Sequence, residues 1–223
     1  MEAVLLVGNG RGDFHFGREE LKRMTLLTEL YEEIAACQRC ELGKGRTQAV
    51  PGEGPENAEI MFIGEAPGFH EDRQGRPFVG AAGKFLEELL ANIGLTRDEV
   101  YICNVIKCRP PGNRDPLSDE ISACRPFLDK QIELVRPRLI VTLGRFSMAR
   151  YFPNTQITRV HGQPKRIGGR IYYPMFHPAA ALHQPKWRSV VKEDMLKIPQ
   201  ILKGAEQLGE AEPLEQAEQL SLF

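Results

Sequence analysis

Residues 59–68 read Glu59-Ile60-Met61-Phe62-Ile63-Gly64-Glu65-Ala66-Pro67-Gly68. Four large apolar side chains closed by a glycine- and proline-bearing turn form the pattern of a short strand buried on both faces. Strands of that kind belong to parallel sheets covered by helices on either side. The chain around this run repeats the theme. Residues 81–93 carry Phe85, Leu86, Leu89, Leu90 and Ile93 at helical spacing, and Gly94 follows as a stop signal. Residues 100–106 then read as a strand, 117–135 as a helix and 138–143 as a strand. Residues 145–152 read as a short helix, 171–175 as a strand and 186–202 as a final helix. Upstream, Leu26, Leu27, Leu30, Tyr31 and Ile34 predict a helix from about residue 25 to the first cysteines. The expected fold class is therefore α/β: a single three-layer α/β/α domain with a short, mostly parallel central sheet. In such sheets the working residues gather beyond the carboxyl ends of the strands. The turn at residues 64–68, Asn104 and His177 all fall at such ends, so three strands are expected to aim at one crevice.

With 223 residues, 42% hydrophobic and 26% charged, the chain can bury one substantial core. It has no apolar run long enough for a membrane span. The apolar patch at residues 3–7 lacks a basic start and a cleavage site, so no signal peptide is expected, and a cytoplasmic, monomeric protein is. The net charge of −1 is unevenly spread. Residues 204–223 hold five glutamates and no Lys or Arg, which leaves 29 basic against 25 acidic residues in the rest. A mildly basic body is compatible with a nucleic-acid partner without requiring one. Four segments are expected: a loosely ordered extension over 1–24, the α/β domain over 25–203, a flexible acidic linker over 204–218 and an apolar terminal peptide over 219–223.

Five cysteines in a chain of this kind speak for metal ligation over disulfides. Cys37 and Cys40 form a CxxC, while Cys108 and Cys124 make a much wider second pair. Four thiolates from two distant segments suit zinc or an iron–sulfur cluster, and the wide second pair leans toward the larger group. Cys103 sits inside a predicted buried strand and reads as a core residue.

The turn Gly64-Glu65-Ala66-Pro67-Gly68 presents a carboxylate and close-approach glycines at a strand end. It is followed by Glu71-Asp72 and by Gly75-Arg76-Pro77-Phe78-Val79-Gly80, and much later by His177-Pro178-Ala179-Ala180-Ala181-Leu182. Together with Asn104 and the four cysteines, this combination closely resembles the family 4, iron–sulfur uracil-DNA glycosylases over about residues 37–202. The resemblance implies a uracil-DNA glycosylase-like fold and a bacterial base-excision repair enzyme. It implies that the enzyme flips uracil from DNA and hydrolyses its glycosidic bond. It also implies a [4Fe–4S] cluster on Cys37, Cys40, Cys108 and Cys124. Phe78 becomes the platform under the flipped base, and Asn104 the reader of uracil O4 and N3–H. Glu71 stands near C5 to refuse a methyl group, the backbone of Gly64, Ala66 and Gly68 holds the base, and Leu182 fills the gap left in the duplex. His177, as neutral imidazole, donates to uracil O2, and Glu65 orients or activates water. No Schiff-base lysine is evident, so hydrolysis without strand cleavage is expected. One departure stands out: the family commonly has Arg after the motif's leucine, where this chain has His183-Gln184-Pro185. Lys107, Arg109 and Arg114 are candidates for phosphate contacts.

The final residues Gln219, Leu220, Ser221, Leu222 and Phe223 resemble the pentapeptide with which bacterial repair proteins engage the sliding clamp, so a clamp is the expected protein partner. A non-catalytic DNA-binding module is the rival reading, but it leaves Glu65, Asn104 and His177 without a purpose. A zinc deaminase is disfavoured because its HxE and PCxxC signature is missing.

Overall fold

The computed structural model describes residues 18–205 and 208–209. Its sheet has five strands: β1 (Ile60–Gly64), β2 (Tyr101–Asn104), β3 (Leu139–Leu143), β4 (Lys165–Ile167) and β5 (Arg170–Met175), in spatial order β2-β1-β3-β5-β4. All pairings are parallel except β4 with β5. The helices are α1 (Arg18–Ala36), α2 (Leu42–Gly45), α3 (Phe69–Gln74), α4 (Ala81–Asn92), α5 (Ser118–Val135), α6 (Arg145–Ala149), α7 (Ile157–Val160), α8 (Pro178–His183) and α9 (Lys186–Lys203).

Every residue of β1, β2 and β3 is buried, and the alternation along each strand divides them between two cores. Met61, Ile63, Tyr101, Cys103 and Ile140 pack under α1 and α5. Ile60, Phe62, Ile102, Leu139 and Val141 pack under α4 and α9. Two apolar faces on a period of two are what make the strands read as unbroken apolar runs. Because β2 and β3 flank β1 on opposite sides, the connection reverses direction there, and a crevice opens beyond the carboxyl ends of these strands.

The expected three-layer α/β/α architecture is present, with local differences. Helix α1 begins at Arg18, so residues 18–24 are helical and do not belong to a loose extension. Leu21 and Met24 in that first stretch stay exposed, which is why no apolar periodicity marked it. The expected strand over 100–106 stops at Asn104. Beyond it, Val105 N donates to Gly64 O at 3.0 Å and Ile106 N to Glu65 O at 3.1 Å, so the chain follows the β1 turn. The helix expected over 145–152 ends at Ala149. Strand β4 is too short and too polar to show a strand pattern, and pairing with β5 alone defines it. The terminal peptide and all of the acidic linker except residues 204, 205, 208 and 209 lie outside the described residues, as do residues 1–17 of the extension.

Candidate active site

A cavity of about 360 Å³ opens at the carboxyl ends of β1 and β2 and at the start of α8, and Glu65, Glu71, Phe78, Asn104 and His177 line it together. Ala66 and Gly68 are also in its wall. Gly64 is not itself in the wall but lies between Asn104 and Phe78. A Cβ there would overlap Asn104 Oδ1 and come within 2.7 Å of Phe78 Cζ, so only glycine lets the amide and the ring approach each other.

Asn104 is 1% exposed, and neither its Nδ2 nor its Oδ1 has a hydrogen-bond partner among the described residues. Burying a primary amide without partners costs on the order of several kcal/mol. A ligand offering one acceptor and one donor would recover that cost. The backbone of Asn104 is held from behind by Lys107. Its Nζ donates to Asn104 O at 2.7 Å and to Gln131 Oε1 at 2.6 Å. Gln131 in turn donates to Pro51 O and Tyr101 Oη. Lys107 is 1% exposed, which removes it from the candidates for phosphate contact. Arg114 is ion-paired with the buried Glu120.

Phe78 has φ 52°, a left-handed conformation uncommon for an aromatic residue. Three contacts hold it there. Arg97 Nη1 donates to Phe78 O at 2.8 Å, and the same guanidinium reaches Pro77 O and the carboxylate of Glu53. Glu71 Oε1 accepts from Val79 N and Gly80 N, both at 2.9 Å. Gly83 passes so close behind that a Cβ would overlap Phe78 O. Glu71 thus braces the loop that carries the ring, in addition to lining the cavity.

His177 caps α8: its Nδ1 accepts from Ala179 N at 3.1 Å. An accepting Nδ1 places the proton of a neutral ring on Nε2, which is then a donor. Burial pushes the imidazole pKa down to about 4, against an opposing effect of Glu71, so the ring is neutral at ordinary pH. The ring stacks near Phe78 with centroids 5.5 Å apart. Glu65 is half-buried. Burial raises its carboxyl to about 6, Asp115 adds to the rise and Arg145 opposes it. At neutral pH it is mostly a carboxylate that holds a proton more tightly than an ordinary glutamate.

Leu182, on α8, is 40% exposed and lies outside the cavity wall, whereas His183 is part of that wall. Sequence reasoning did not single out Ala82, Pro110, Asn113 or Ala179, which also line the cavity, nor Arg97 behind Phe78. An isolated arginine carries no pattern that would have marked it.

Cys37, Cys40, Cys108 and Cys124 line one small cavity on the α1–α5 side, and none is in a disulfide. Among the described residues no group of three or more His, Cys, Asp or Glu is arranged to hold a single metal ion. Donors nevertheless already face the sulfurs: Arg46 Nη1 reaches Cys108 Sγ at 2.9 Å, Lys107 N reaches Cys124 Sγ at 3.2 Å and Arg39 N reaches Cys37 Sγ at 3.5 Å. Burial raises the Cys108 thiol and pushes Cys124 up to about 11, so thiolates there call for a nearby positive centre. Cys103 is fully buried in β2 and packs in the core.

Residues 51–198 match the Uracil DNA glycosylase superfamily. The chain is 50% identical to the type-4 uracil-DNA glycosylase of Sulfurisphaera tokodaii over 191 residues, 80% of this chain and 86% of that protein. It is 49% identical to the type-4 enzyme of Saccharolobus solfataricus over 80% of this chain and 88% of the relative. For the type-4 enzyme of Thermotoga maritima the figures are 42%, 84% and 98%.

Proposed function

The chain belongs to the uracil DNA glycosylase superfamily, in its type-4 group, and on that premise we propose how its pocket excises uracil from DNA. The activity is hydrolysis of the N-glycosidic bond with release of free uracil, leaving an abasic site. The observation that carries the assignment of roles is the buried, unpartnered amide of Asn104 facing the same cavity as Phe78 and His177. A uracil extruded from the stack lies on Phe78. Asn104 Nδ2 donates to O4 and Oδ1 accepts from N3–H, a combination cytosine cannot satisfy. Glu71 crowds C5 and refuses a methyl group, while the backbone of residues 64–68 encloses the base. As the bond from C1′ to N1 breaks, the electron pair passes to uracil, and Nε2–H of His177 donates to O2 where the negative charge collects. The Glu65 carboxylate orients water toward C1′ and accepts its proton. Leu182, exposed at the rim, enters the space the base has left.

The cysteine cavity fits a [4Fe–4S] cluster on Cys37, Cys40, Cys108 and Cys124, given four thiols and three N–H donors already turned to three of the sulfurs. When bound, the cluster supplies a cross-link between the chain after α1, the segment after β2 and α5. Residues 219–223 are proposed as a sliding-clamp ligand on the linker of residues 204–218, and such a peptide points to a bacterial source; a cytoplasmic monomer is proposed beside it. The relatives come from archaea and bacteria alike.

The decisive experiment incubates purified protein with a uracil-containing oligonucleotide in metal-free buffer and then treats it with alkali. Free uracil is expected, with strand scission only after the alkali step. Absence of free uracil overturns the assignment, and scission before alkali overturns the hydrolytic mechanism.

A further inference from the structure

Resting on the glycosylase reading above, we propose a second nucleotide subsite beside the uracil pocket, built on Phe69 and flanked by Arg73 and Arg109, that stacks the base adjacent to the flipped uracil on the same strand.

Phe69 is the first residue of α3, directly after Gly68 of the pocket wall, yet it points outward and is 47% exposed. A large aromatic left in water at the rim of a site is a feature core packing does not explain. Two guanidiniums lie over its ring: Arg109 Cζ at 5.1 Å from the centroid and Arg73 Cζ at 5.6 Å. Neither is in an ion pair among the described residues. Several arginines among the described residues behave differently: Arg76, Arg97, Arg114, Arg138, Arg150 and Arg188 each face a carboxylate. Arg109 Nε is held by Asn113 Oδ1 at 2.7 Å, and Asn113 is itself part of the uracil pocket wall.

The ground beside this cluster is open. A second cavity of about 170 Å³ is lined by Arg109 and shares Pro110 and Arg114 with the uracil pocket. The two carboxylates at this second cavity are occupied: Asp72 accepts from Thr47 N and Glu41 pairs with Lys44. An aromatic face, two cations outside any ion pair among the described residues and a neighbouring cavity that shares wall residues with the base pocket match the chemistry of a single nucleotide: a flat base and its phosphate. A nucleotide next to the flipped uracil is tethered to it by one phosphodiester, and Phe69 is one residue from the wall that holds the uracil.

The test uses full-length protein and oligonucleotides carrying a non-excisable 2′-fluoro-deoxyuridine with 2-aminopurine on its 5′ or its 3′ side. Stacking on Phe69 is expected to quench the fluorophore on one side only, and Phe69→Ala is expected to abolish that quenching. On excisable substrate, stacking worth about 1–3 kcal/mol per base translates to roughly a 5- to 150-fold rise in KM for Phe69→Ala. The single-turnover rate at saturating DNA should hold within about twofold, and Phe69→Trp should restore KM. Inhibition by free uracil, which has no neighbouring nucleotide, should be the same in all three proteins. Arg109→Met should lower the salt dependence of binding by about one unit of slope. Unchanged KM and quenching in Phe69→Ala overturn the subsite, as does equal weakening of free-uracil inhibition, which would mean the pocket itself had collapsed. The fluorescence arm reads binding alone, so a wild-type protein that failed to excise uracil would sink the functional reading and leave the subsite to be judged separately.

Discussion

Acidification is the perturbation that most directly questions Glu65. Burial holds its carboxyl at about 6 in place of the ordinary 4.5, with Asp115 adding to the rise. Raising the pKa of an acid means the proton is bound more tightly in the folded site, so the carboxylate is lost as pH falls through about 6. If that carboxylate is the group that accepts the proton of water, roughly nine-tenths of it is present at pH 7 and about one-tenth at pH 5. Single-turnover excision, with enzyme saturating over DNA, should then fall about tenfold between those two points, one decade per unit below the inflection. A glutamate at its ordinary value would lose only about a quarter of its carboxylate at pH 5. The two cases are easily separated. The His177 ring stays neutral until about pH 4, so it adds no inflection in this range. Asp115→Asn removes a negative neighbour and also frees Arg145 from its pair, and both changes favour the carboxylate. The inflection should therefore move to lower pH in that variant. The shift should be read at low ionic strength, because the Asp115–Arg145 pair is about 60% exposed and screened by salt. Glu65→Gln should lose roughly 10²–10⁴ in rate together with the inflection. A rate that stays flat to pH 5, or a Glu65→Gln variant that keeps the same inflection, would refute the base role and the physical argument behind it.

Four further outcomes can be checked independently. His177→Ala removes one donor to the leaving uracil and should slow single-turnover excision by about 10²–10³, with DNA binding by gel shift little changed. Lys107→Met leaves Asn104 O and Gln131 Oε1 buried without a donor, at about 1–3 kcal/mol each, so denaturant melts should show a loss of about 2–5 kcal/mol. A loss below about 1 kcal/mol would mean that water or a rearranged Gln131 takes the amine's place. Purified protein should be yellow-brown, with absorption near about 400 nm and about four irons per chain. Cys103→Ala should keep the colour and Cys108→Ala should lose it, while a colourless protein with one zinc contradicts the cluster. Deleting residues 219–223 should leave excision from short oligonucleotides unchanged and abolish binding to an isolated bacterial clamp.

Patterns that live within a few residues were legible from the chain alone. The run Ile60-Met61-Phe62-Ile63 could only be a strand covered on both faces, because nothing polar breaks it and a turn follows at once. Helices α4, α5 and α9 were placed within a residue or so at each end, since their apolar spacing and flanking glycine or capping glutamate are local signals. The motif residues Glu65, Phe78, Asn104 and His177 were legible too, because each follows a strand or a glycine-bearing turn that the chain announces. Tertiary structure decided what depends on through-space partners. That Lys107 is an interior prop for Asn104, and not a surface phosphate ligand, follows from Gln131 lying opposite it, 24 residues away in sequence. That Arg97 fixes the left-handed Phe78 follows from an approach across 19 residues, and a lone arginine carries no periodicity to betray it. Strand β4 exists only because β5 offers it an edge. The tautomer of His177 is set by an amide of α8, and the elevated Glu65 carboxyl by the burial that the folded crevice imposes. Local sequence determines which elements form and which side chains stand at their ends. Hydrogen-bond partners, burial and charge environment are properties of distances that exist only once the chain has closed on itself.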